Sequence, residues 1–269
     1  MSAIQTYQGS LPNWSTDLYT AQPPDYSTGA ASETALLEEP RPGSGLSPFI
    51  VAVEQSFANY REFGPRSTKK LLPLHAFFAD RLRVIWGNPF KVQFMGSGSR
   101  EMTVNGKYYP KDIDITVTHA GTPVFCLGIK FITSNYKQNA NNYFENMMGE
   151  TANIQAVGSL PYAHFIILRQ KTPYYAKNDF VTPQKIEVIN DKDIQKYVNL
   201  MRDARQAHRP DYLGIQLINL DERSGRVTLT NASSAFSPHI ARVLSGLLSM
   251  QGFFSGIRDF KDLYNTDKQ

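Results

Sequence analysis

Asp112, Asp114 and Lys130 are the residues of this chain whose types and spacing could do chemistry together. Paired carboxylates offer the hard oxygen ligands that a divalent cation takes. A lysine amine beside them can neutralise an anionic substrate or orient a water. Two further acids, Glu145 and Glu150, follow within the next stretch. The set suggests a metal-dependent hydrolytic centre.

Local patterning says how these groups would be positioned. The apolar runs Ile113–Thr118 and Val124–Ile132 are joined by His119-Ala120-Gly121-Thr122-Pro123, which predicts a β-hairpin with a short loop. Strand alternation turns Ile113, Ile115 and Val117 one way and Asp112, Asp114 and Thr116 the other. On the second strand Lys130 shares a side with Gly128 and Cys126. A helix is predicted over Gln138–Val157. At about 100° per residue, Ala140, Phe144, Met147 and Thr151 face the sheet, while Asn142, Asn146, Gly149 and Asn153 centre the polar face. Glu145 and Glu150 then flank the apolar stripe on opposite sides, so only one of them reaches the ends of Asp114 and Lys130. Burial of Lys130 between Ile129 and Phe131 demands a carboxylate partner on physical grounds alone. That partner could equally make a structural ion pair, and Asp112 and Asp114 could be the exposed face of an edge strand.

The remaining sequence supplies a scaffold. Residues 1–48 are rich in Ser, Thr, Pro, Gly and Tyr and predict an irregular arm, with Trp14, Leu18, Tyr19 and Tyr26 as possible anchors. Helices are expected over Pro48–Phe63 and Ser67–Trp86, with Pro73 suited to a first turn. Lys91–Met95, His164–Arg169 and Tyr212–Leu220 are expected strands, and Asp191–Arg205 is an amphipathic helix. Ser237–Tyr264 is helical and unusually apolar, fit either to complete the core or to form a dimer seam. This order predicts an α/β fold: a three-stranded meander, a crossover helix and a fourth strand in a mixed central β-sheet flanked by helices. We expect a single domain over residues 49–269.

Bulk properties narrow the class without choosing a function. The chain has 269 residues, 41% of them hydrophobic, and a formal charge of +4, which permits a polyanionic partner without requiring one. No signal-peptide pattern is visible and no apolar run approaches the ~20 residues of a membrane helix. A lone cysteine, Cys126, gives neither an internal disulfide nor a zinc cluster, so a cytoplasmic protein is the expectation.

Asp114 on one strand, Gly128-Ile129-Lys130 on its partner, and the segment IKFITSNYKQNANNYFENMMGETANIQ together resemble the PD-(D/E)XK nuclease superfamily, and within it type II restriction endonucleases. The resemblance runs from about Leu71 to Leu168. It implies a restriction-endonuclease-like core and Mg2+-dependent hydrolysis of DNA phosphodiester bonds. One departure stands out: the acid expected two residues before the lysine is Gly128. Some enzymes of this kind carry that carboxylate on the following helix. Glu145, fifteen residues after Lys130, is the expected acid, with Glu150 in reserve. The implied catalytic set is Asp114, Lys130 and Glu145. Asp114 and Glu145 would be metal ligands, with the Ile129 carbonyl contributing and Asp112 assisting or holding a second ion. Arg100, Lys107, Lys111, Asn142 and Asn146 are the expected DNA contacts, and a homodimer would match a palindromic site.

Two rivals remain. Met95-Gly96-Ser97-Gly98-Ser99 ahead of Asp112-Ile113-Asp114 also resembles nucleotidyltransferases, which bind triphosphate at a Gly-Ser turn and metals at two acids. That reading leaves Lys130 without a role and needs a third acid that Val124–Ile132 lacks. The other rival is an inactive DNA-binding protein on a nuclease scaffold.

Overall fold

A computed structural model describes residues 47–65, 67–96, 100–158, 160–176 and 182–266. The chain divides into two units, Met1–Glu39 and Pro40–Gln269, and every described residue belongs to the second. The expected N-terminal arm therefore lies, apart from its last two residues, outside the described residues. So do Ser97, Gly98 and Ser99 of the Gly-Ser turn.

Helix α1 (Pro48–Phe63) opens with proline in its first turn, where the missing N–H costs nothing, and stops at Gly64, whose φ of 82° suits glycine. A 3-10 turn over Thr68–Leu71, capped by Ser67, leads into α2 (Leu72–Trp86). Then come β1 (Lys91–Phe94), β2 (Met102–Asn105), β3 (Pro110–Ile113), β4 (Ile115–His119) and β5 (Thr122–Ile132). Helix α3 (Tyr136–Gln155) crosses to β6 (Tyr162–Arg169), which is buried along its whole length. After it follow β7 (Lys171–Tyr174), β8 (Lys185–Val188), α4 (Asp191–Arg202), β9 (Tyr212–Leu220) and β10 (Val227–Leu229). Three helices end the described chain: α5 (Ala232–Ala235), α6 (Pro238–Ser245) and α7 (Met250–Thr266).

Six strands form one mixed sheet in the order β1-β4-β5-β6-β9-β10. The meander β1-β4-β5 is antiparallel, while β5-β6 and β6-β9 are parallel, as a helical crossover requires. Helices cover both faces. On one, Phe165 of β6 meets Phe49 of α1, Phe78 of α2 and Phe253 of α7, and Phe125 of β5 meets Trp86 and Phe260. On the other, Ile132, Ile166 and Leu168 pack with Met147 of α3, Tyr197 of α4 and Ile240 of α6. The mixed α/β architecture is as the sequence predicts.

Three departures have physical causes. The expected strand Ile113–Thr118 breaks at Asp114, because β3 leaves the main sheet to pair with β2 in a separate two-stranded ribbon. The C-terminal segment is two helices rather than one. Its apolar side turns largely inward: Phe253, Phe254 and Ile257 are buried against α2 and β6 and complete the core, while Leu247 and Leu263 stay exposed. Finally, β7 and β8 form a second two-stranded ribbon in a stretch that carries no predicted strand. Among the described residues no single helix is long and apolar enough to cross a membrane.

Candidate active site

The face of β5 that carries Cys126, Gly128 and Lys130 is covered by α3. Asp114 reaches this place because the sheet ends there. The β4–β5 ladder closes at Ile115 opposite Leu127, leaving the next β5 amide without a backbone acceptor. The Asp114 carboxylate takes that role, its Oδ2 accepting the Ile129 N–H at 2.6 Å. A strand residue sends its N–H and C=O to the same edge. The Ile129 carbonyl therefore also points toward the Asp114 side.

Glu150 comes down from α3. Its Oε1 stands 3.0 Å from Lys111 Nζ and 3.7 Å from Lys130 Nζ. Burial alone would raise its pKa, but the charges of Lys130 and then Lys111 outweigh burial and hold the carboxyl below its usual value. A carboxylate so depressed contributes its ion pairs above pH 4.5 and loses them as pH falls through the lowered value. Lys111 senses both Glu150 and Asp114, and so does the Tyr162 hydroxyl, whose pKa burial and then those two charges raise. Two acids and two lysines thus converge on one patch of the sheet.

A hydrogen-bonded clamp brings Lys111 there. Asn153, on the last turn of α3, accepts the N–H groups of Tyr108 and Tyr109 at 2.9 and 3.3 Å and donates to the Tyr109 carbonyl at 2.9 Å. Gly106 lets the turn lie against it, since a Cβ there would sit 2.1 Å from Asn153 Nδ2. The ribbon β2-β3 is thereby locked to α3. Asn153 was expected on the polar helix face, and instead it is fully buried. We predict that Asn153→Ala lowers stability by about 1–3 kcal/mol in urea unfolding, because the part-buried Tyr108 and Tyr109 amides lose their acceptor. An unchanged midpoint would contradict the clamp.

Gly128 explains where the motif acid went. It faces His164 in the parallel register of β5 and β6, and a Cβ at position 128 would lie 2.9 Å from His164 Nδ1 and 3.2 Å from Tyr162 Oη. A carboxylate side chain has no room beside Lys130 at that point. The acid must arrive from the helix.

The structure places Glu150, and not Glu145, beside Lys130. Glu145 is exposed, and the cation that feels its charge is Lys196 of α4. Five residues along a helix are about 140° of rotation, which carries Glu145 away while Glu150 faces the sheet. Asp112 also fails to join the group: it turns outward on the ribbon, where Thr103 Oγ1 donates to it at 2.5 Å. Asp112 and Asp114 accordingly make different contacts, Asp112 with Thr103 and Asp114 with the Ile129 amide. Lys111, an expected DNA contact, is ion-paired with Glu150 in this patch. Arg100, Lys107, Asn142 and Asn146 are all exposed, with Lys107 Nζ 5.4 Å over the Tyr108 ring.

Sequence reasoning missed three groups. Glu101 senses Asp114 and then Asp112, and its pKa is raised first by burial and then by those charges. His75 of α2 is buried near Asp114, neither ring nitrogen having a hydrogen-bond partner; burial lowers its pKa against the pull of that carboxylate. His164 lies beneath Gly128. No local spacing ties these residues to Asp114, since each arrives from a different element.

Among the described residues no group of three or more His, Cys, Asp or Glu is close enough to grip a metal ion. A hard cation such as Mg2+ does not need one, because it keeps several waters and takes one or two carboxylates. Asp114, Glu150 and the Ile129 carbonyl are oxygen donors of that kind. The residues present fit such an ion. No family model, curated protein or solved structure matches this chain, so the site rests on its own geometry.

Proposed function

We propose that this chain is a PD-(D/E)XK endonuclease, most simply a type II restriction enzyme that cuts double-stranded DNA as a homodimer with Mg2+. The observation that carries the reading is the joint placement of Asp114, Lys130 and Glu150 on one face of the sheet, with the Glu150 carboxylate 3.7 Å from the Lys130 amine. An ion held by Asp114 and Glu150 would polarise the scissile phosphate and make its bound water more acidic. Lys130 would orient the attacking water and neutralise charge on the phosphate. Lys111 holds Glu150 in place and adds a second positive charge for the backbone. The exposed Arg100 and Lys107 would add phosphate contacts, making affinity fall with salt.

Plasmid DNA incubated with the protein and Mg2+ tests this. Discrete fragments that disappear in Lys130→Ala support the nuclease. Product formed only with nucleoside triphosphates would replace it with a nucleotidyltransferase. Retention of DNA without any product would leave an inactive scaffold.

A further inference from the structure

The turn that joins β2 to β3 holds two aromatic rings out in solvent. Tyr108 is 74% exposed and Tyr109 48%, whereas every other described aromatic side chain is at least partly buried. The turn is not free to fold these rings away. The Lys107 N–H donates to the Asn153 carbonyl at 2.7 Å and the Gly106 N–H to the Tyr109 carbonyl at 3.2 Å. The Asn153 side chain fixes residues 108 and 109 as well. A backbone tied to α3 in this way is preorganised, so a partner docking on it has little left to order. Tyrosine suits such a place, because it offers a large rigid surface at low conformational cost.

Position and charge say what the partner is. Asn153 follows Glu150 by three residues of α3, a rise of about 5 Å. Tyr108 precedes Lys111 by three residues, at most about 10 Å of extended chain, and Lys111 Nζ is 3.0 Å from Glu150. The turn therefore borders the candidate site. Lys107 Nζ lies 5.4 Å over the Tyr108 ring, which sets a cation beside a flat apolar surface. The ribbon's own acid, Asp112, is engaged by Thr103. Nucleic acid matches this surface, since it carries negative phosphates and flat bases side by side.

We propose that Tyr108 is a DNA wedge: its ring stacks on a base within about three nucleotides of the scissile phosphate, while Lys107 takes the adjoining phosphate. The spacing follows from the chain, because about 10 Å spans three phosphates of one strand at 3.4 Å each. Opening the base stack is easiest at flexible pyrimidine–purine steps. The turn thus reads sequence through deformability and needs no hydrogen bond to a base edge. The inference rests on the nuclease reading of Asp114, Lys130 and Glu150.

The probe is a duplex spanning the cut that plasmid mapping finds, bound to the full chain in the Lys130→Met background so that it stays whole. Tyr108→Ala should weaken binding about 5- to 150-fold, the loss of one stacked base, and Tyr108→Phe should keep it. Tyr108→Trp should add an emission, above that of Trp14 and Trp86, which the duplex quenches. Lys107→Gln should instead lower the salt slope of the affinity by about one, and an unchanged slope would remove its phosphate contact. Substitutions at an exposed ring leave the fold intact. Undiminished affinity in Tyr108→Ala, or a Tyr108→Trp emission indifferent to DNA, would overturn the wedge alone and leave the turn to a protein partner. A wild-type chain that cuts no plasmid DNA would overturn the nuclease reading and this inference with it.

Discussion

Glu150→Gln should reduce Mg2+-dependent DNA cleavage by at least about 10²- to 10³-fold, while Glu145→Gln leaves it near the wild-type rate. The contrast follows from geometry rather than from residue type. Glu150 is drawn to the sheet by Lys111 and Lys130, whereas Glu145 stands exposed beside Lys196. Folding should not confuse the result. The two lysines keep about a third of their side chains in solvent, at 31% each, and ion pairs so exposed contribute roughly 0–1 kcal/mol. Glutamine has the same shape as glutamate and keeps an oxygen for the amines. The thermal midpoint of Glu150→Gln should thus stay within a few degrees of wild type. Lys130→Met should lose about 10²- to 10⁴-fold by removing the group that orients the nucleophile. A fully active Glu150→Gln protein would contradict the assignment.

Restoring the expected motif should do harm. Gly128→Asp writes the acid two residues before Lys130, as the family pattern has it, yet the new Cβ lies 2.9 Å from His164 Nδ1 and 3.2 Å from Tyr162 Oη. Both neighbours belong to stiff aromatic side chains of buried residues held by strand β6, so neither yields cheaply. Overpacking of this kind costs about 1–3 kcal/mol, and the buried carboxylate would lack a donor from His164, whose Nδ1 is bare. Gly128→Asp combined with Glu150→Gln should accordingly unfold at lower urea and remain inactive. Recovery of cleavage in the double variant would show that position 128 can carry the acid after all.

Much of this was legible in the sequence. Period-two alternation put Asp114 and Lys130 on one side of a hairpin, and the apolar stripe of Ala140, Met147 and Thr151 put α3 over that side. The glycine at 128 announced that an acid must come from elsewhere. Helical geometry also showed that only one of Glu145 and Glu150 could reach. It could not say which, because both flank the same stripe, and the decision is made by Lys111, which arrives on a ribbon held by Asn153. That ribbon was itself invisible: Ile113–Thr118 alternates without interruption, and only the loss of β4–β5 pairing at Asp114 reveals the break. Asn153 was misread for a related reason. Periodicity assigned it to solvent with the other asparagines, whereas the backbone of residues 106–109 covers it. His75, Glu101 and His164 come from separate elements, so no local pattern could gather them.

The claim on which all of this depends is that Asp114 and Glu150 share one divalent ion beside Lys130. Diffraction from crystals soaked in Mn2+, used as a visible substitute for Mg2+, measures it directly. The account predicts one anomalous peak between Asp114 and Glu150, at roughly 2.1 Å from a carboxylate oxygen of each acid. A peak elsewhere, or two carboxylates that bind no ion while DNA is still cut, would contradict it.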